Sequence, residues 1–580
     1  MFEQDGSIPG TMFDPSTSQK FDDEGPVAKR GINGRKFIHG FIRFAIACVL
    51  LWGVALPLAV AQESSKQENR VTGSIPRDLL DRPIVLRSGI GTVHQKVTTS
   101  SPQAQKFYDQ GLAYVHSYMW IDAARSFHQA LRLDPNMAMA YAGLVDTYVG
   151  LQDVPAARIA LHQALVLTKR ANEVEQGWIT IRQRELEYFE SDGDPDKYVA
   201  YRQAVNDALK LHPSDPWLWI QRGLADERSP ASHGQGGGVD TLAFYKMALT
   251  MAPNNFVAHH YYAHTLENLG RAKEALGEAD TYVRLAPAIP HAHHMRGHEL
   301  MRLGHTNQAI QEFLKAKELE ETSYRAENIP AGYDWHYSHN LQLLAMAYES
   351  LGQMKSAEAM LRKAFSLPAY TDFLDYNRRE WPEFLLRRSR FAEALDASRR
   401  LAASQRPMAR LAGYTLAGEA LLALGRRDEA EQELTLAERE TELLPPAVTA
   451  ALPYPAILRA NFLLVDKPAD GKTLMQEIVE KIRAMPGPDS WSEARFELES
   501  IASTARHLDA WDLAEFSAHQ LIEQDPNYAG GYFALGLVAE HGDNAALARQ
   551  QFATAEKLWS NADSDLPELQ QVRQSLGMFR

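Results

Sequence analysis

The chain has 580 residues, of which 45% are hydrophobic and 23% charged, and its formal net charge is −14. This composition is that of a folded protein and excludes collagen-like, low-complexity and wholly disordered chains. An acidic chain without a long basic run also lacks the charge pattern of a general nucleic-acid binder, so no nucleic-acid partner is expected.

The first 61 residues have the layout of a secretory signal peptide. Basic residues between 29 and 43 precede an apolar run at 44–61, which ends in the small-x-small sequence Ala59-Val60-Ala61. The alternative is an uncleaved N-terminal anchor, because about 18 apolar residues can just span a bilayer. In both cases we expect the rest of the chain to be exported to the periplasm or another extracytoplasmic space. No further membrane span is expected.

The single cysteine, Cys48, lies inside this apolar run, so the exported part contains none. Disulfides, thiolate metal sites and iron–sulfur clusters are therefore excluded there, and no haem-attachment motif is present. A metal site in the exported part would have to use histidine and carboxylate ligands.

From Ala104 onwards the sequence repeats with a period of about 34 residues. In the first copy, Gly111 lies on one predicted helix and Phe127 on a second, which ends at Asp134-Pro135. These residues resemble the tetratricopeptide repeat (TPR), a pair of antiparallel helices in which small residues allow close approach and an aromatic ring fills the space between.

One helix pair cannot bury its apolar face, so neighbouring pairs stack into a superhelix with a concave groove. We therefore predict an all-α, right-handed superhelical TPR-type solenoid of about ten to twelve helix pairs. The predicted segments are 1–61 signal peptide or anchor, 62–103 linker or N-terminal arm, 104–255 N-terminal TPR array, 256–371 histidine-rich central repeats, 372–562 C-terminal TPR array and 563–580 C-terminal cap.

Histidines are concentrated in the central repeats. Ten of the 20 histidines lie between residues 256 and 340, where an even distribution would place about three. In the TPR register, first-helix positions two, five, nine and twelve face the groove, and His339 takes such a position in the third of three adjacent repeats. Because residues three and four apart share one helix face, the others form two stripes. They are His260, His264 and Glu267 on one helix, and His291, His294 and His298 on the next.

Imidazole together with carboxylate suits divalent transition metals. First helices of adjacent pairs lie about 8–10 Å apart, so their side chains can share one ion. We predict a site for zinc or iron whose ligands come from His260, His264, Glu267, His294, His298 and His339. Two alternatives remain open: a histidine groove that binds a peptide without metal and responds to pH, and no special role.

Further residues are predicted to line the groove beside this site. Asp334 could orient a histidine, and Trp335 offers a stacking surface. The predicted binding residues are Glu227, His291, Asp334, Trp335 and His336. His259 and His293 are expected to pack structurally, His305 to be solvated, and His116 to lie several repeats away. The glycine-rich run 232–238 lacks the Gly-Lys-Ser/Thr of a phosphate loop, so no nucleotide is expected.

Three histidine-bearing runs, at 258–264, 285–298 and 334–340, resemble a group of bacterial exported TPR proteins with a histidine-rich central region. The resemblance covers roughly residues 88–370. It implies a solenoid fold and an exported scaffold role, but no catalytic residue, because we know of no established activity for the group.

These observations predict an exported TPR scaffold that binds a protein or peptide in its groove and carries a divalent-metal site. The first alternative is a metal-dependent hydrolase or oxidase housed in the solenoid, with Glu227 or His339 as general base. The second is a periplasmic metal-handling protein.

Overall fold

The computed structural model describes residues 75–578 except 192, 228–232, 486 and 488. The predicted signal peptide therefore lies outside the described residues. The described residues belong to one compact unit. Within the described residues, no helix is long and apolar enough to span a bilayer.

The described residues form 28 α-helices and no strand. Their bounds are α1 Arg77–Leu80, α2 Pro102–Val115, α3 Trp120–Leu133, α4 Ala138–Gly150, α5 Val154–Leu167, α6 Glu173–Phe189, α7 Pro195–Leu211, α8 Pro216–Leu224, α9 Leu242–Met251, α10 Phe256–Asn268, α11 Ala272–Leu285, α12 Pro290–Arg302, α13 Thr306–Glu327, α14 Trp335–Ser350, α15 Met354–Ser366, α16 Asp372–Asn377, α17 Glu380–Arg387, α18 Phe391–Ala402, α19 Pro407–Ala423, α20 Arg427–Thr441, α21 Pro446–Ala451, α22 Ala456–Asp466, α23 Pro468–Ala484, α24 Ser490–His507, α25 Trp511–Gln524, α26 Ala529–His541, α27 Ala545–Leu558 and α28 Pro567–Met578.

Consecutive helices pack in pairs, as in a helical repeat array, and most pairs are joined by short turns; α8 and α9 are joined by the longer segment 225–241. The pairs in the described chain are α2/α3, α4/α5, α6/α7, α8/α9, α10/α11, α12/α13, α14/α15, α17/α18, α19/α20, α22/α23, α24/α25 and α26/α27. The predicted all-α, TPR-type solenoid of ten to twelve helix pairs is confirmed. After the last pair, α28 covers the end of the array with buried Leu569 and Val572.

In the pairs α2/α3, α8/α9, α12/α13 and α26/α27, a glycine on the first helix lies against an aromatic ring on the second. A Cβ atom on Gly297 of α12 would lie 2.6 Å from Cε1 of Phe313 on α13, and Gly111 has the same relation to Phe127. Such a distance is far inside van der Waals contact. The absent side chain is therefore what lets the buried ring fill the space between the helices.

We expect Gly297→Ala to destabilise the protein by about 1–3 kcal/mol, because the added methyl group overpacks the contact with Phe313. Gly277→Ala in α11 is the matched control, since a Cβ atom there meets nothing within 4 Å. Alanine is the better helix former, so the control should be more stable by up to about 1 kcal/mol. Urea unfolding followed by circular dichroism measures both, and equal changes would refute the packing argument.

The described part of the predicted linker or arm, 75–103, packs along the repeats. Ile84, Ile90 and Val93 are buried, and the amide of Ala288 donates to the carbonyl of Gly89 at 2.8 Å. Gly91 lies against the ring of Phe256, where a Cβ atom would be only 2.3 Å away. This segment therefore connects the start of the array to its central repeats.

The C-terminal pairs also return to the central repeats. Leu300 and Leu344 share one apolar core with Phe496 and Leu498. Nη1 of Arg495 donates to Oγ of Ser350 at 2.9 Å. The superhelix therefore turns tightly enough to bring α24 against α12 and α14.

Candidate metal centre

The histidine cluster lies on α10, α12 and α14, which are the first helices of three consecutive pairs. The helical periods predicted from the sequence place one imidazole stripe on each helix, and stacking of the pairs brings the stripes together. Every ring in the cluster is only 0–6% exposed. The members are His260, His264, His291, His294, His298, His336 and His339.

Three imidazoles form the first group, which we call site A: His260, His264 and His291. One nitrogen from each lies within 4.8 Å of the other two. Nε2 of His291 is 2.9 Å from Nε2 of His260 and 3.4 Å from Nε2 of His264. Two imidazole nitrogens bound to one zinc ion at about 2.1 Å, at tetrahedral or right angles, are roughly 3.0–3.4 Å apart. The spacing in site A thus suits ligands of a single ion.

The second group, site B, consists of His294, His298, His339 and the carboxylate of Asp489. Nε2 of His298 is 2.9 Å from Nε2 of His294. Asp489 lies just before α24, and its oxygens are 3.7 Å from Nε2 of His298 and 3.6 Å from Nε2 of His339. These carboxylate distances are too long for hydrogen bonds, but an ion placed between the atoms could bind both partners.

His336 lies between the two sites. It forms a third group of possible ligands with His291 of site A and His294 of site B. Its Nδ1 contacts Oε1 of the buried Glu320. Histidines that bind a metal through one ring nitrogen commonly hydrogen-bond a carboxylate through the other. The cluster is therefore continuous from α10 to α14.

In site B, the hydrogen bonds made by the Nδ1 atoms of His294 and His298 determine whether their Nε2 atoms carry hydrogen. Nδ1 of His294 lies 3.0 Å from Oδ1 of Asn340, whose Nδ2 donates to the carbonyl of Phe313. Nδ1 of His298 lies 3.0 Å from Oε1 of Glu267. Both Nδ1 atoms therefore donate, and in a neutral imidazole the other nitrogen then has no hydrogen. The two Nε2 atoms of site B face each other at 2.9 Å with bare lone pairs, unless a cation lies between them.

In site A, His260 also donates through Nδ1 and turns Nε2 toward a neighbouring imidazole. Nδ1 of His260 donates to the carbonyl of His116 at 2.8 Å, so its Nε2 is bare in the neutral ring. Nε2 of His291 faces both His260 and His264 and can donate its one hydrogen to only one of them. Nδ1 of His291 has no hydrogen-bond partner within the described chain.

Burial keeps most of these imidazoles neutral, because desolvation disfavours the charged form. It lowers the pKa of His260, His291, His294 and His339 well below 6.5, and neighbouring imidazoles lower the pKa further. Burial also lowers the pKa of His336 to about 4. Neutral imidazole is the form that binds a metal.

His298 and Asp489 differ from the rest. Burial lowers the pKa of His298, but the Glu267 carboxylate outweighs it and the pKa is raised. Burial raises the pKa of Asp489 to about 7. In the absence of a metal, a proton on His298 could thus satisfy the lone pair of His294. Site B accommodates either a proton or a metal ion.

Glu267 was predicted as a ligand, but the structure places it behind the imidazoles. One oxygen contacts Nδ1 of His298, and the other is 3.7 Å from Nδ1 of His264. Arg302 contacts the same carboxylate at 3.2 Å. Although burial raises the pKa of Glu267, Arg302 and His298 hold it below its usual range. Glu267 is thus an ionised partner that orients His298.

The predicted groove residues are close to the cluster but do not line an open surface. Asp334 accepts from the amide of His336 and from Tyr324. Trp335 stacks on His339 with ring centroids 5.7 Å apart, and its Nε1 donates to the carbonyl of Tyr118. Glu227 is buried and accepts from the amide of Gly234.

The chain itself fills the groove at the histidines. The ring of Tyr118 lies 4.7 Å from His291 and 5.0 Å from His260, between centroids. His116, predicted to lie several repeats away, also contacts the cluster through its carbonyl group, so that prediction was wrong. With Asp489 on the opposite side, the rings have almost no exposed area left for a peptide.

The histidines expected to be structural behave differently from the cluster. His259 contacts Glu278 and the carbonyl of Pro253, and His293 makes the equivalent contacts with Glu312 and Pro287 one repeat later. His305 is exposed. Their ring nitrogens point away from sites A and B.

Comparison with known proteins identifies the repeat. Tetratricopeptide repeat profiles match residues 244–277, 290–323 and 338–370, which include α10, α12 and most of α14. The chain contains tetratricopeptide repeats. No curated protein sequence matches it.

Several solved TPR-like structures are similar at low sequence identity. A tetratricopeptide repeat protein from Parabacteroides merdae is 18% identical, with 46% of this chain and 93% of that chain covered and a TM-score of 0.33. A monomeric IFIT1 mutant with Gppp-AAAA is 13% identical, with 73% and 90% covered and a TM-score of 0.37. MamA is 17% identical, with 37% and 91% covered and a TM-score of 0.20.

Proposed function

We propose that this TPR protein is an exported scaffold whose central histidine cluster holds two divalent transition-metal ions, one in site A and one in site B. The observation that carries the proposal is the pair of Nε2 atoms of His294 and His298. Their Nδ1 atoms are engaged as donors, so the facing lone pairs need either a proton or a metal ion between them, and the neighbouring imidazoles lie at spacings that suit one ion.

The donor atoms favour zinc or iron. Each site offers three imidazoles, site B adds a carboxylate, and neither contains sulfur. Carboxylate, amide and carbonyl oxygens behind the rings fix the ring orientations, as in known metal–histidine sites. Glu267, Asn340 and the carbonyl of His116 supply these contacts.

The deep burial of the rings favours ions that are held stably and stiffen the scaffold. TPR arrays generally bind other proteins, and we propose that this one does so through surfaces other than the filled central groove. The export proposal rests on the basic and apolar pattern of residues 1–61. The buried imidazoles would then take up their ions outside the cytoplasm.

Metal analysis tests this proposal. The tag-free chain from Gln62 onwards, purified without chelator, should contain two equivalents of zinc or iron by mass spectrometry. His264→Ala should lose the ion of site A, His298→Ala that of site B, and the double variant both. Removing one of a few ligands weakens binding strongly because the ion cannot regain that bond.

His259→Ala is the matched control, because His259 lies on the same helix as His264 but outside both sites. It should keep both ions. Metal-free wild-type protein, or equal metal in wild type and double variant, would refute the proposal. Turnover of a test ester or catechol by the metal-loaded protein, lost in the double variant, would instead support a metalloenzyme.

A further inference from the structure

A second candidate site lies in the C-terminal array, away from the histidine cluster. A cavity of about 540 Å³ opens between α17, α19, α22 and α24. This volume is in the range of small-molecule sites, about 300–1,000 Å³. The structure thus leaves an open cavity here, whereas the histidine rings are almost fully buried.

Aliphatic side chains form part of the cavity wall. Leu386, Leu416, Leu422 and Ile457 line it, and Val465 lies at its rim with 55% of its surface exposed. An aliphatic ligand would gain about 25 cal/mol for each Å² of apolar surface removed from water. The walls thus favour a ligand with a hydrocarbon body.

Three hydrogen-bond acceptors in the lining have no donor. Oε1 of Glu419, Oε2 of Glu497 and Oδ1 of Asn461 are buried and without a hydrogen-bond partner in the described chain. Buried polar atoms are seldom left unpaired, since each costs free energy. A ligand that donates several hydrogen bonds would satisfy them.

The charge of the lining is also unbalanced. Glu383, Glu419 and Glu497 all line the cavity. Arg387 is held by both oxygens of Glu349 at 2.8 and 3.1 Å, and Arg427 pairs with Asp466. Glu383 is occupied by Tyr454 and Arg379. Among the described residues, neither Glu419 nor Glu497 forms an ion pair with a cation.

Burial, and the nearby carboxylate of Glu383, raise the pKa of Glu419 to about 8 and that of Glu497 to about 8. When no cation is bound, both groups therefore carry a proton at neutral pH, and a bound cation would displace that proton and stabilise the carboxylate. The electrostatics and the unpaired acceptors thus point to the same kind of ligand.

We propose that this cavity binds a small aliphatic primary amine in its ammonium form, whose three N–H donors are accepted by Glu419, Glu497 and Asn461. An ammonium group offers three donors and no acceptor. Its hydrogen bonds to carboxylates are charge-assisted and about twice as strong as neutral ones. The alkyl chain then lies along the leucine and isoleucine walls. This site is independent of the metal proposal.

Isothermal titration calorimetry on the metal-loaded chain from Gln62 onwards, in an amine-free phosphate buffer, tests the assignment. The probes are n-hexylamine, n-hexanol and n-hexanoate. Hexylamine should bind at one site and at least about tenfold more tightly than hexanol, and hexanoate should not bind. Equal binding of hexylamine and hexanol, or no binding of hexylamine, would overturn the proposal.

The variant Glu419→Gln/Glu497→Gln should weaken hexylamine binding by about tenfold or more, because the charge-assisted bonds are lost. Glu433→Gln on α20 is the control, since this half-buried carboxylate lies outside the lining. It should bind like wild type. Asn461→Leu removes the third acceptor without altering charge and should also weaken binding. Unchanged affinity in both Glu419→Gln/Glu497→Gln and Asn461→Leu, with metal content and helicity intact, would overturn the proposal.

A lysine side chain carries the same ammonium group, so a blocked Leu-Lys-Leu peptide is titrated in parallel. Weaker binding of this peptide than of hexylamine supports the free amine as ligand. Binding of the peptide without binding of hexylamine would overturn the assignment and show that the cavity binds a lysine side chain of a protein partner.

Discussion

Dialysis against a strong chelator is expected to lower the thermal unfolding temperature of the protein by roughly 10 °C. A ligand that binds only the folded state stabilises it by about 2.7 kcal/mol when its free concentration is about 100 times its Kd. Two ions together supply about twice that, and roughly 2 °C accompanies each kcal/mol in a large domain. Removing the ions also leaves only a proton to bridge the facing lone pairs of His294 and His298.

Scanning calorimetry or circular dichroism measures this shift, and adding back zinc or iron should reverse it. The His264→Ala/His298→Ala variant is the control, because it has no ion to lose. Its unfolding temperature should be the same with and without chelator. A wild-type protein that also unfolds at one temperature under both conditions would contradict a stabilising metal centre.

Acid is expected to release the two ions in two separate steps, site B first. The pKa of His298 is raised by Glu267 against the effect of burial, and burial raises that of Asp489 to about 7, so protons compete for site B already near pH 6–7. In site A, burial lowers the pKa of His260, His264 and His291 below 6.5. Those imidazoles remain neutral, and able to bind metal, at lower pH. Site A should keep its ion to about pH 5.

Equilibrium dialysis at a low fixed concentration of free metal, between pH 7.5 and 4.5, followed by mass spectrometry of the protein fraction, measures the two steps. Asp489→Asn removes the carboxylate of site B while leaving site A intact. This variant should bind about one equivalent and show only the lower step. Loss of both ions in one step at the same pH in wild type and variant would contradict two separate sites.

Local order was predictable because it depends on residues close in sequence. The small and aromatic residues of the repeat, such as Gly111 and Phe127, already define the helix pairs. Spacings of three and four residues place His260, His264, His294 and His298 on one face of their helices. The fold class and most of the histidine cluster follow from these short-range patterns.

The hydrogen-bond partners of the imidazoles were harder to predict from the sequence. Glu267 shares a helix face with His264, so the spacing favoured it as a ligand, whereas the structure turns its carboxylate toward Arg302 and the outer nitrogen of His298. The sequence spacing alone does not show whether Glu267 binds the metal or hydrogen-bonds a histidine that does. Which nitrogen of a ring is free depends on contacts with neighbouring pairs, which only coordinates provide.

The sequence alone therefore determined the helix pairs, the all-α array and the concentration of imidazoles on three consecutive first helices. Only the tertiary structure decided that Asp489 joins the cluster, that Tyr118 and His116 close it, and that a cavity opens in the C-terminal array. The reason is that small rotations between successive pairs accumulate along a solenoid. Contacts between distant repeats depend on the sum of these rotations, and local sequence patterns do not specify that sum.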